Sequence, residues 1–163
     1  MSDRTCAFIE IGGRLPRSKA NTLLEAINRT RVSHDWGDAT FQPETADDLL
    51  TVTKDSHLWL CDDQASYGEF PEFESVCRRL ALFYIRCSDG GVVYDAGRVD
   101  WRPGMKKPLA RRCSTESNGC ILVPQEAVEK ALAALDSGHV PEARGLLRWI
   151  CRQVPPVPPF EIV

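Results

Sequence analysis

The feature that most constrains the fold is the order in which β-prone runs and amphipathic stretches follow one another along the chain. Apolar runs rich in β-branched and aromatic residues predict strands. Helical patterns separate the first three runs, whereas the later runs follow each other through short turns. This order favours an α+β fold of two layers, a mixed or antiparallel sheet of about five to six strands with helices packed on it. The predicted strands are 6–11, 57–61, 82–87, 92–94, 98–102 and 120–123.

Helices are predicted in the first half of the chain by spacing and by terminal residues. The stretch from Ser18 to about Arg29 repeats apolar residues at i, i+3, i+4 and i+7, which predicts a helix with one buried face. Thr45 stands three residues before Asp48 in the arrangement of a capping box, so a short helix is expected there. Pro71 suits the first position of a further helix.

Near its C-terminal end the chain predicts two amphipathic helices joined by a short turn. Pro124 and Pro141 each suit a helix start, and Ser137 with Gly138 ends the first helix. Two helices with so short a connection form an αα-hairpin. Its apolar positions in register are Val128, Ala131, Leu132 and Leu135, followed by Ala143, Leu146, Leu147, Ile150 and Val154.

The length of 163 residues corresponds to one domain. We therefore predict a single α+β domain over 1–153 and a proline-rich extended tail over 154–163, because prolines forbid helix. This tail either lies across the domain, anchored by Phe160 and Ile162, or serves as a docking peptide. The first arrangement is favoured, since terminal apolar residues are usually tied down.

Composition and motifs narrow the function classes. No signal peptide and no stretch near the ~20 apolar residues of a membrane span is evident, so a cytoplasmic protein without membrane contact is expected. The seven cysteines lack C-x-x-C spacing and are predicted to be reduced thiols. The motifs G-x-S-x-G, H-E-x-x-H and Walker A are absent. The sequence therefore assigns no catalytic residue, metal or cofactor, and it leaves the oligomeric state open.

Charge is strongly segregated, although the formal net charge is only −3. Residues 35–76 hold eleven carboxylates and one cation, Lys54, which gives −10. Residues 77–113 hold nine cations and three carboxylates, which gives +6. Such asymmetry concerns partners and solubility rather than fold.

The acidic block favours a non-enzymatic interaction protein, because no catalytic signature is assembled while the charge segregation is large. Carboxylates on a rigid face can imitate phosphate spacing and occupy a basic groove. The sharpest form of this hypothesis is a phage or mobile-element inhibitor of a nucleic-acid-processing host complex, of the anti-CRISPR or anti-restriction type. The simpler interpretation of the block is a solvated surface. The candidate partner-binding residues are Asp47, Asp48, Asp62, Asp63, Glu69, Glu72 and Glu74.

One alternative is a metal-dependent hydrolase or nuclease. Asp62 and Asp63 end a predicted strand, and Glu10 sits in the first strand, so the three could hold Mg²⁺ if those strands are neighbours. The competing interpretation is that Asp62 and Asp63 face water at a turn. Glu10 would then be paired with an arginine.

A second alternative is a nucleic-acid-binding module in the basic segment 98–112, where cations would contact phosphate and an aromatic ring would stack on bases. Self-neutralisation by the adjoining acidic block explains the same cations. The candidate residues are Arg98, Trp101, Arg102, Lys106, Lys107, Arg111 and Arg112.

Overall fold

The computed structural model describes residues 3–91, 95–114, 121–152 and 154–163. These residues contain seven strands and five α-helices. The helices are α1 (Ala20–Thr30), α2 (Asp48–Thr51), α3 (Pro71–Arg79), α4 (Gln125–Asp136) and α5 (Val140–Ile150). The strands are β1 (Arg4–Leu15), β2 (Thr53–Lys54), β3 (His57–Ser66), β4 (Phe83–Ser88), β5 (Gly97–Trp101), β6 (Leu109–Arg112) and β7 (Phe160–Ile162).

The sheet has the order β2-β3-β1-β4-β5-β6, and every neighbouring pair in it is antiparallel. Strand β7 adds to the end of β1 in parallel, with Gly13 opposite Phe160. The predicted α+β fold is therefore confirmed. Among the described residues no helix has the length and apolar character that crossing a bilayer requires.

One face of the sheet carries the core. Alternate residues of a strand point to opposite faces, so Ala7, Ile9 and Ile11 of β1 share one face. All three are buried and belong to the same cluster as Leu23 of α1 and Phe73 of α3. Each large apolar side chain buried in this way contributes about 1.5–3 kcal/mol. The core therefore fixes β1 as the central strand beneath two helices.

The opposite face, which we call the second face, carries alternate residues such as Glu10 and Asp100. Aromatic side chains cover part of it: Phe8 and Trp59 stack with ring centroids 5.6 Å apart, and Trp36 meets Trp59 edge-on at 5.5 Å. No helix spans this face in the described chain, and much of the remaining cover comes from the C-terminal tail.

The tail crosses the second face and ends beside β1. Arg102 Nε donates to the carbonyl oxygen of Pro155 at 2.6 Å, and the Gly13 amide donates to that of Pro159 at 3.0 Å. Phe160 is buried, and its amide donates to Ser56 at 2.8 Å. The tail is thus packed on the sheet rather than projecting from it.

The αα-hairpin is confirmed: α4 and α5 run antiparallel and pack on each other. Gly138 in the turn has φ +77°, a conformation that glycine adopts without strain. Alanines fill the contact, with Ala131, Ala134 and Ala143 buried. Small residues allow the two helices to approach closely, and the larger apolar side chains of α4 and α5 lie outside this contact.

Several elements depart from expectation. Strand β3 does not end at Cys61 but continues through Asp62 and Asp63 to Ser66, because β1 pairs with its second half. Strand β1 continues through Gly12 and Gly13 to Leu15, because β7 and β4 pair with its second half. The basic segment 98–112, for which only the strand 98–102 is predicted, also contains β6, whose Leu-Ala-Arg-Arg sequence lacks apolar alternation. In the predicted strand 120–123, Ile121 makes only an isolated bridge with Cys113. The predicted strand 92–94, like Cys120, lies outside the described residues.

Gly12 provides a test of the tail contact. A Cβ on Gly12 would lie 1.8 Å from the Pro158 carbonyl oxygen and 2.6 Å from Val157 Cγ1. We expect Gly12→Ala to lower the free energy of unfolding by about 2 kcal/mol, because the tail must move away from the strand. Chemical denaturation measures this change.

Gly145 of α5 is the matched control, since nothing lies within 4 Å of an added Cβ there. Gly145→Ala should raise stability by about 0.5–1 kcal/mol through helix propensity. Equal stability of Gly12→Ala and the unmodified protein would contradict the tail placement.

Candidate functional site

The seven acidic candidates do not gather on one surface. Asp47 and Asp48 lie at the start of α2, Asp62 and Asp63 lie in β3, and Glu69, Glu72 and Glu74 lie in or just before α3. The sequence block is continuous, but the fold distributes it over three places.

Glu74 is removed from the surface altogether. It is 6% exposed, and its Oε1 lies 2.7 Å from Arg86 Nε in an ion pair. The hydroxyl of Tyr84 donates to Glu74 Oε2 at 3.1 Å. Burial raises the pKa of Tyr84, and the charge of Glu74 raises it further. Glu74 therefore stabilises the interface between α3 and β4 and is not available to a partner.

Asp47 and Asp48 make local contacts. Asp47 Oδ1 accepts a hydrogen bond from Arg17 at 2.8 Å. Asp48 Oδ2 accepts from the amides of Thr45 at 2.7 Å and Glu44 at 2.9 Å, and these bonds lower the pKa of Asp48. The Asp48 amide points to Thr45 Oγ1 at 3.4 Å, which completes the expected capping box. Helix capping therefore explains the contacts of Asp48, and the hydrogen bond from Arg17 explains the position of Asp47.

Glu69 and Glu72 are exposed near the start of α3. Glu69 Oε1 lies 3.8 Å from an Arg86 nitrogen, whereas Glu72 makes no ion pair within the described part of the chain. Glu72 stands in the first turn of the helix, where a negative charge complements the helix dipole.

Asp62, Asp63 and a third carboxylate, Asp89, lie around Cys6 at one end of the sheet. The Asp89 amide donates to the Cys6 carbonyl at 3.0 Å, and Cys6 Sγ lies 3.8 Å from the Asp63 carbonyl oxygen. Burial raises the pKa of the Cys6 thiol, and the charges of Asp89, Asp63 and Asp62 raise it further. We call Asp62, Asp63 and Asp89 the acidic sheet end.

Strand β1 creates this cluster by lying between β3 and β4. Ala7 of β1 pairs with Asp62 on one side and with Ser88 on the other. The register of β1 against β3 shifts between Thr5 and Ala7, so β3 bulges at this point. The bulge turns Asp63 outward, and it is exposed. Within the described chain, none of the three carboxylates forms an ion pair.

The proposed metal site is not assembled. Glu10 and Asp62 lie on neighbouring strands as expected, but Glu10 pairs with Trp59 on the second face, whereas Asp62 pairs with Ala7 on the helix face. Glu10 Oε1 lies 3.4 Å from Nδ1 of His57, which is its partner in place of the expected arginine. Over the described ranges no group of three histidine, cysteine or carboxylate side chains could hold a metal ion.

The basic candidates surround a buried carboxylate, Asp100, on the second face. Asp100 is fully buried, and it accepts hydrogen bonds from Arg98 at 3.0 and 3.1 Å and from Arg111. An Arg102 nitrogen lies 3.7 Å away. Burial alone would raise the pKa of Asp100, but the bonds from Arg98 and Arg111 and their charges outweigh it and hold that pKa below its ordinary value.

The remaining basic candidates do not form a stripe. Trp101 is buried and cannot stack on a base, and Arg112 pairs with Asp95 at 3.1 Å. Arg102 is 5% exposed and donates to the backbone carbonyls of Tyr84 and Trp101. Lys106 and Lys107 alone among the seven candidates are exposed without an ion pair to a described residue. The arrangement expected of a nucleic-acid-binding surface is absent from this part of the chain.

Comparison of the chain with protein-family models, with curated proteins and with solved structures finds no match. The geometry alone must therefore support any functional assignment.

Sequence reasoning missed Asp89 and the role of Asp100. Both stand in the basic block and were counted only as charges that reduce its total. Asp89 joins Asp62 because β1 separates β3 from β4, a pairing that no local pattern reports. Asp100 was recognisable from its position between Val99 and Trp101, where a charge demands a partner.

Asp100 predicts a distinctive pH dependence of stability. A carboxyl whose pKa is lower in the folded than in the unfolded state stabilises the fold above its ordinary value of 3.8, and this stabilisation is lost as pH falls through the folded value. We expect Asp100→Asn to lower the free energy of unfolding by about 3 kcal/mol at neutral pH, because buried arginines lose their counter-charge.

The difference in free energy of unfolding between the two proteins should narrow as pH falls from 3.8 towards the lower pKa of folded Asp100, where the unmodified side chain also becomes neutral. Denaturation curves across pH measure this narrowing. Asp95→Asn is the control, because Asp95 and Arg112 are exposed and their pair contributes at most about 1 kcal/mol. If Asp100→Asn lowers the free energy of unfolding as little as Asp95→Asn does, the structural role of the arginines that bind Asp100 is contradicted.

Proposed function

We propose that this protein is a non-enzymatic interaction protein that binds a basic surface of a partner through the acidic sheet end. The observation that supports this function is that Asp62, Asp63 and Asp89 all lie around Cys6 at one end of the sheet, and none forms an ion pair with a described residue. Like charges in one region raise the local negative potential, and a cationic partner is attracted to it.

The proposal is strengthened because the arginines of the second face bind a carboxylate there and not the acidic sheet end. Arg98, Arg102 and Arg111 are engaged by Asp100, so they do not neutralise the acidic residues that precede them in the sequence. Arg4 of β1, a described cation on the same side of the sheet end, donates from its guanidinium to the Gln64 carbonyl oxygen at 2.8 Å. The acidic sheet end therefore keeps a net negative charge.

The edge position of β3 favours recognition through side chains. Thr53 and Lys54 of β2 pair only with Leu58 and His57 at the start of β3. Cys61 of β3 exchanges two backbone hydrogen bonds with Ser33, at 2.7 and 2.8 Å, so β3 is an edge only from Asp62 onward in the described structure. Charged residues in the bulge there oppose the addition of another strand. A partner would thus meet carboxylates rather than extend the sheet.

The partner class that we propose is a nucleic-acid-processing complex with a basic groove. Carboxylates on a rigid sheet can stand in for phosphates in such a groove, which gives a mode of inhibition without catalysis. An inhibitor of the anti-CRISPR or anti-restriction type is the most specific form of this proposal. Metal-dependent hydrolysis by Glu10, Asp62 and Asp63 is less favoured, because these residues lie on different faces of the sheet.

A triple charge reversal tests the proposal. We expect Asp62→Lys, Asp63→Lys and Asp89→Lys together to weaken binding of a fluorescent oligoarginine peptide at least about tenfold, because attraction becomes repulsion. Fluorescence anisotropy measures the affinity, and rising salt should weaken the unmodified protein's binding through screening. Partners captured from cells should be lost in the same variant.

The control reverses three exposed carboxylates elsewhere, Glu25, Glu44 and Glu142, and so produces the same change in net charge. It should retain both peptide binding and partner capture. Equal binding by the two triple variants would refute the acidic sheet end as the interaction surface.

A further inference from the structure

The αα-hairpin exposes large apolar side chains along one side. Val128, Leu132 and Leu135 follow the i, i+4, i+7 spacing of a single helical stripe on α4, and Leu132 is 58% exposed. On α5, Val140 and Leu147 are seven residues apart and likewise exposed. An amphipathic helix buries such a stripe, so this face lacks its cover.

Both stripes face the same side of the hairpin. At about 100° per residue, the stripe of α4 lies roughly a quarter turn beyond Ala131 and Ala134, and the stripe of α5 roughly an eighth of a turn beyond Ala143, both in the direction of increasing residue number. Because α4 and α5 run antiparallel, rotations in that direction bring the two stripes to one side. The result is a continuous apolar surface, which we call the hairpin face.

Opposite charges border the two edges of the hairpin face. Beyond the stripe of α4, the same helical spacing places Glu129 and Asp136. Beyond the stripe of α5 it places Arg144 and Arg148. All four residues are exposed, and within the described chain none of them forms an ion pair. The hairpin face thus has one acidic edge and one basic edge.

We infer that the hairpin face binds the hairpin face of a second copy of this chain, forming an antiparallel four-helix bundle. A two-fold axis parallel to the helices lays α4 of one copy against α5 of the other, so each acidic edge meets a basic edge. Four-helix bundles bury stripes of this kind between antiparallel neighbours. The inference concerns a different surface from the acidic sheet end and goes beyond the proposed function.

Position along the helices specifies which charges meet. Glu129 lies nine residues before Gly138 of the turn, and Arg148 lies nine residues after His139. At 1.5 Å per residue, both stand about 13 Å from the turn. A rotation about an axis parallel to the helices preserves this height, so Glu129 of each copy faces Arg148 of the other.

Charge exchange between these positions tests the inference. Glu129→Arg alone and Arg148→Glu alone should each weaken dimerisation at least about tenfold, because each places like charges together twice in the symmetric dimer. Mixing the two variants should restore dimers of one copy of each, since both charge pairs are then attractive. Sedimentation velocity and native mass spectrometry measure the masses of the species formed.

Two further variants separate the apolar and charged contributions. Leu132→Glu should give a folded monomer, because this side chain is mostly solvent-exposed in the single chain, and circular dichroism verifies folding. Glu142→Arg changes the charge as Glu129→Arg does, but Glu142 lies about 150° around α5 from the stripe of Val140 and Leu147, so this variant should leave the dimer intact.

The inference is overturned if the unmodified protein is monomeric at every concentration. It is equally overturned if Leu132→Glu remains dimeric, or if mixing the two charge variants fails to restore dimers. Binding of the hairpin face to a different protein, without self-association, would also overturn it. The acidic sheet end is unchanged in all these variants, so peptide binding there reports separately on the proposed function.

Discussion

A single buried carboxylate determines how the charge of this molecule is used. Asp100 on β5 holds Arg98, Arg102 and Arg111 against the second face of the sheet, where an unpaired charge would be costly. Two of these arginines also hold the end of the chain: Arg102 donates to Pro155 and Arg111 to Arg152. These three arginines are thereby committed to the fold, and the carboxylates of the acidic sheet end remain without an ion pair in the described structure.

The two surfaces that we assign to binding have different physical characters. The acidic sheet end is polar and rigid, because it rests on the paired strands β1, β3 and β4. The hairpin face is apolar and lies on two helices that contact each other through alanines. We propose that charge attracts a basic partner to the first surface, and that apolar burial with complementary edges pairs the second with another copy. A dimer would present two acidic sheet ends to one partner, which increases apparent affinity through multivalency.

Much of the fold followed from local pattern, whereas the candidate site did not. Apolar spacing around Leu23, the turn at Gly138 and the prolines before α4 and within α5 are local signals, and each was sufficient to predict its element. The edge strand β6 was missed because its sequence lacks apolar alternation. It pairs with β5 through its backbone, while the side chain of Arg111 binds Asp100 and that of Arg112 binds Asp95. Glu74 was expected at the surface because its partner Arg86 is distant in sequence. Asp89 joined the acidic sheet end only through strand order, which depends on contacts that no single segment contains.

The central claim is that Asp100 retains its charge by binding arginines inside the protein. Carbon-detected NMR of the side-chain carboxyl groups during an acid titration tests this claim most directly, because it reports the protonation of Asp100 in the folded state. The account predicts that Asp100 titrates below its ordinary value of 3.8. Titration at or above that value would mean that the arginines are not held by Asp100 and remain available to a partner.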